Sequence, residues 1–160
     1  MYIFTLWHQL PMPPRYAECV EALLVRYPSL EVREFASQTT DPRMTAELVR
    51  LQILRDTAGA VLYVDPDNLP GADTWTGEGV DRCAAINCRG GLRDTSVLYK
   101  PAGCEAEVQA ALDAGGTRTV LYYRYVQGWL GVRGYPNDQY FRHLNLGGPV
   151  INTFTFRGAS

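Results

Sequence analysis

The stretch AVLYVDPDNLP, residues 60–70, decides how the rest of the chain is read. It opens with a continuous apolar run, Ala60 to Val64, which suits a strand buried on both faces of a largely parallel sheet. The run then stops at Asp65-Pro66-Asp67-Asn68. Proline at the second position of a turn, with Asp and Asn beside it, is ordinary β-turn chemistry. In open α/β sheets, however, ligands gather beyond the carboxyl ends of the strands, where these aspartates fall. Two carboxylates one residue apart there supply the oxygens that a hard divalent cation takes, with positions left for phosphate and water. A turn and a metal site are both open readings at this point.

On the amino-terminal side the chain alternates strand and helix. Tyr2 to Leu6 is a short apolar run suited to a buried strand. After the breaker PMPP, Tyr16, Val20, Leu23, Leu24 and Tyr27 fall at helical spacing, with Pro14 acceptable in the first turn. LEVREF alternates and predicts a second strand. Asp41-Pro42 is a helix start, Met44, Leu48, Leu51 and Leu54 mark a buried face, and Gly59 is a natural stop. This β-α-β-α-β order predicts an α/β fold with a central, mostly parallel sheet flanked by helices. Beyond residue 70, CAAIN and TSVLY read as strands and CEAEVQAALDAGG as a helix ended by glycines. PNDQYFRHL reads as a short helix opened by Asn137, and PVINTFTF as a closing strand. There is no repeat and no low-complexity linker. A length of 160 residues fits a single domain over 1–160.

Composition narrows the function classes. The chain is 46% hydrophobic and 20% charged with net charge −2, so nothing demands a nucleic-acid or anionic-membrane partner. From Ala111 onward Arg118, Arg124, Arg133, Arg142 and Arg157 face only Asp113 and Asp138, which suits either a phosphate-bearing ligand or a solvated surface. Cys19, Cys83, Cys88 and Cys104 form no CxxC pair and no zinc spacing with histidine. The opening MYIFTLWHQL lacks the charge and apolar length of a signal peptide, and no segment is long enough to span a membrane. A reduced, cytoplasmic protein is the expectation.

The longer segment TAELVRLQILRDTAGAVLYVDPDNLPG resembles one shared by DXD-containing glycosyltransferases of GT-A type: yeast-type initiating mannosyltransferases, bacterial capsular sugar transferases and clostridial glucosylating toxins. The matching residues are Ala46, Glu47, Arg50, Gly59, Val61, Tyr63, Asp65 and Asp67. Glu47 stands where the family has Asp, and only one of two usual glycines is kept. The opening strand and its Trp7 are similar to the start of these enzymes. YPNDQYFRHL is similar to the Asp-Gln motif of glycogenin-like enzymes, which lies beside the transferred sugar.

The resemblance implies a compact GT-A-like fold and a metal-dependent hexosyltransferase. It would use a nucleotide-diphosphate sugar, UDP-hexose first and GDP-mannose second, with Mn²⁺ or Mg²⁺, and would retain anomeric configuration. It implies Asp65 and Asp67 as metal ligands, with Asp65 also contacting the donor. A further ligand near the C-terminus would come from His143, Asn145 or Asn152, with His143 preferred. Glu47, Arg50 and Tyr63 would meet the donor, Trp7 would stack on its base, and Asp138 and Gln139 would contact the sugar. Each has a plainer reading: a core tryptophan for Trp7, a surface ion pair for Glu47 and Arg50, and the polar first turn of a helix for Asp138 and Gln139. The acceptor is unread: protein, glycan or modified nucleic-acid base. The rival expectation is a non-catalytic domain that binds a sugar nucleotide or a partner protein.

Overall fold

The computed structural model describes residues 1–36, 42–87, 93–115, 125–132, 139–144 and 146. The buried apolar run at the start forms β1 (Tyr2–Trp7), followed by α1 (Pro14–Arg26), β2 (Glu31–Glu34), α2 (Pro42–Asp56) and β3 (Val61–Val64). Gly59 takes a φ of +82° between α2 and β3, the left-handed conformation that only glycine adopts without strain. The chain continues through β4 (Asn68–Pro70), β5 (Ala84–Asn87), β6 (Arg93–Lys100), α3 (Glu105–Gly115), β7 (Leu130–Val132) and β8 (Phe141–His143).

Among the described residues the central sheet has the order β2-β1-β3-β6-β5-β7. β1 pairs in parallel with β2 and β3, and β5 pairs in parallel with β7, whereas β6 runs antiparallel to both β3 and β5. The sheet is therefore mostly parallel, with β6 as the reversed strand. β4 and β8 form a separate antiparallel ribbon in which Asn68 faces His143.

The two-residue alternation of the strands divides the core between the sheet's faces. Phe4, Val61 and Tyr63 pack in one cluster with Leu51 and Leu54 of α2 and Val108 and Ala111 of α3. Ile3, Leu62 and Val64 point the other way, into a cluster with Val20 and Leu23 of α1 and Phe141 of β8.

Three expectations are corrected. The described part of PNDQYFRHL is a bend at Gln139-Tyr140 followed by strand β8, not a helix. Phe141 is buried there, stacked on Tyr27, and the backbone pairs with β4, so tertiary contacts override a weak local signal. On α1, Tyr16, Val20, Leu23 and Tyr27 are buried, but Leu24 faces solvent. On α2, Leu51 and Leu54 are buried as expected and Leu48 is half-buried, yet Glu47 and Arg50 are buried too. α2 packs against both the sheet and α3, and its face carrying Glu47 and Arg50 is turned into the protein. Asp41, the side chain of Met44, Asn137 and the PVINTFTF segment lie outside the described residues. Cys19, Cys83 and Cys104 are free thiols. Among the described residues no helix is long and apolar enough to cross a membrane.

Candidate metal centre

β3 carries Asp65 just past its carboxyl end, where the Asp65 N–H donates to the Ser96 carbonyl at 2.7 Å and extends the ladder to β6. The Asp65 carbonyl accepts from the backbone N–H of Asn68 and from its side-chain Nδ2, both at 3.2 Å. Asp65 to Asn68 is thus a hydrogen-bonded turn, and that turn is what aims both carboxylates. Turn chemistry and site geometry are here one feature.

The ribbon brings the third group. Because Asn68 pairs with His143, the imidazole reaches back to Asp67, with Nε2 lying 3.0 Å from Oδ2. The same oxygen accepts the Leu146 N–H at 3.2 Å, and the Asp67 carbonyl accepts the Leu144 N–H at 3.0 Å. Asp67 is 0% exposed, and its Oδ1 is buried without a hydrogen-bond partner among the described residues. A buried carboxyl oxygen left unpaired is costly and calls for a cause. One donor atom each from Asp65, Asp67 and His143 lies within 4.8 Å of the others. Two carboxylates, one of them carrying an orphan oxygen, and an imidazole form a donor set that fits a divalent cation.

Asp65 is braced from α2. The Tyr63 hydroxyl donates a hydrogen bond to Oδ1, and Arg50 Nη2 lies 3.6 Å from the same oxygen. Arg50 also pairs with Glu47 at 3.2 Å, donates to the Thr95 carbonyl at 2.8 Å, and sits 4.6 Å above the Tyr63 ring. It is 2% exposed, so this is no surface ion pair.

Burial raises the Glu47 carboxyl to about 8, with Arg50 opposing and Asp65 and Asp94 reinforcing. Burial also raises Asp65, again against Arg50. For His143 burial acts downward, but the neighbouring Asp67 and Asp94 carboxylates prevail and lift it to about 11. Without a cation His143 thus holds a proton between two carboxylates, and a cation bound to Nε2 would have to displace it.

Of the other expected site residues, Trp7 sits at the carboxyl end of β1 but is 5% exposed and packs on Tyr16 at 4.8 Å, as a core residue. Gln139 stands on the bend before β8. It donates to Asp73 at 3.0 Å and lines a cavity of about 300 Å³ with Trp75 and Tyr140. Asp138, Asn145 and Asn152 lie outside the described residues. Sequence reasoning missed Asp94, buried on β6 with Oδ2 at 3.6 Å from His143 Nδ1. Nothing in RDTSVLYK marks that aspartate, because its position depends on strand pairing.

No protein-family model matches the chain. No curated protein matches it either. Solved structures do match. Among them is the crystal structure of a glycosyltransferase involved in the glycosylation of the major capsid of PBCV-1, with TM-score 0.53, 12% identity and 98% coverage of each chain. At that identity the likeness carries the fold alone: a mixed α/β, GT-A-like architecture with helices on a mostly parallel sheet.

Proposed function

We propose that this chain is a metal-dependent glycosyltransferase that takes a sugar from a nucleotide-diphosphate donor, UDP-hexose before GDP-mannose, with retention of anomeric configuration. The observation that carries this reading is the buried Oδ1 of Asp67, without a partner among the described residues and grouped with Asp65 and His143 beyond the carboxyl end of β3 in a glycosyltransferase-type fold. Asp65, Asp67 and His143 would hold the cation. An imidazole in the donor set favours Mn²⁺ over Mg²⁺, which prefers oxygen ligands alone. When bound, the cation supplies Lewis-acid stabilisation of the nucleoside diphosphate as negative charge develops on it.

The chain's own groups have separate tasks. Tyr63 and Arg50 fix Asp65, and Arg50 also pairs with Glu47. These α2 and β3 groups act by bracing a ligand, since all are buried. Asp138 and Gln139 are assigned to the hydroxyls of the transferred sugar, and Trp7 to the packing beneath the donor site. The acceptor has no assignment.

The inward turn of Glu47, Arg50 and Tyr63 also suits a domain that binds a sugar nucleotide without transferring it. Donor turnover separates the two readings and needs no acceptor. Incubation with a panel of nucleotide sugars should release nucleoside diphosphate with Mn²⁺ and not with chelator. Asp67→Asn should abolish that release while the protein stays folded. Mn²⁺-dependent binding without release would select the binding module, and neither binding nor release would reject both readings.

A further inference from the structure

We propose that Asp94 is the positioning residue for His143, holding the imidazole so that Nε2 faces Asp67 and the cation position; this rests on the metal reading above. The placement begins in the backbone. Ala85 of β5 pairs with Leu98 of β6, but the next residue, Ile86, pairs with Asp94. The step between them spans Thr95, Ser96 and Val97, so β6 bulges there. Bulges beside active sites re-aim side chains.

Backbone groups at the bulge serve the site: the Thr95 carbonyl accepts from Arg50, the Ser96 carbonyl accepts the Asp65 N–H on the β3 side, and the Ser96 N–H donates to Asp94 Oδ1 at 3.1 Å. With Oδ1 held, Oδ2 stands 3.6 Å from His143 Nδ1, an ion-pair contact, while Nε2 lies 3.0 Å from Asp67 Oδ2. A histidine that ligates through one nitrogen is oriented by an acceptor on the other, which fixes the ring and its tautomer. Each non-central ligand then has its own brace: Tyr63 and Arg50 for Asp65, and Asp94 for His143. The ring needs one, since β8 is only three residues long.

The test measures Mn²⁺ affinity by calorimetry in four proteins: unaltered, Asp94→Asn, His143→Ala and the double variant. Asn keeps an oxygen for Ser96, so the bulge should survive. Asp94→Asn should weaken Mn²⁺ binding by about 10–100-fold. In the His143→Ala background the same change should cost less than about twofold, since the effect runs through the imidazole. Equal losses in both backgrounds would make Asp94 a remote charge and overturn the proposal, as would no loss. A second readout needs no metal. In the cation-free protein the His143 Nδ1 nitrogen and proton resonances should shift on Asp94→Asn, and unmoved resonances would also overturn it. If the unaltered protein binds no Mn²⁺ yet these resonances move, the metal reading fails while the positioning of His143 by Asp94 stands.

Discussion

Arg50 reaches the Thr95 and Ala46 carbonyls, Glu47 and Asp65 from within the core, with its guanidinium over the Tyr63 ring. Removing one partner from such a buried set leaves charge uncompensated, at a cost of about 3–5 kcal/mol. Arg50→Met should therefore lower stability by about 3 kcal/mol in urea unfolding, because a protonated Glu47 softens the loss. A change within about 0.5 kcal/mol would place Arg50 among ordinary surface residues. Glu47 gives a pH prediction. Its folded value, about 8, lies above its ordinary 4.5, so the folded state holds the proton more tightly. Its contribution to stability is complete below the ordinary value and is lost as pH rises through about 8. Unfolding free energy measured against pH should fall across that window, and Glu47→Gln should flatten the fall. An equal slope in the variant would assign the titration to another group.

The ribbon of β4 and β8 is the element on which the candidate centre depends, since its pairing brings His143 to Asp67. Phe141 anchors it, fully buried and stacked on Tyr27 with centroids 5.9 Å apart. Phe141→Ala should cost about 3–5 kcal/mol and also weaken Mn²⁺ binding under native conditions. Leu23→Ala, an equally buried change on α1, should destabilise by about 2–5 kcal/mol and leave Mn²⁺ affinity unchanged. Equal affinities in the two variants would show that the ribbon does not position a ligand. This element was also the hardest to read in the sequence. β1, α1, α2 and β3 were legible because each carries a period or an unbroken apolar run long enough to show it. QYFRH carries neither, and its strand conformation is imposed by the backbone of β4. The reversed direction of β6 was equally hidden, since a continuous apolar run reads the same in parallel and antiparallel sheets. Asp65 and Asp67 were legible from their place after β3. Asp94 was not, because a bulge against β5 determines where it points.

At the scale of the whole molecule, the carboxylates Asp65, Asp67 and Asp94 gather around one place, and a cation that displaces the His143 proton would add positive charge there. A ligand at a hundredfold its dissociation constant adds about 2.7 kcal/mol to stability. Mn²⁺ at that level should raise the unfolding midpoint of the unaltered protein and leave Asp67→Asn unmoved. The most direct measurement is anomalous scattering at the manganese edge from crystals soaked in Mn²⁺ and UDP. The account predicts a peak bounded by Asp65, Asp67 and His143, with the diphosphate on its open side. A peak elsewhere, or a diphosphate seated with no metal between those three side chains, would contradict it.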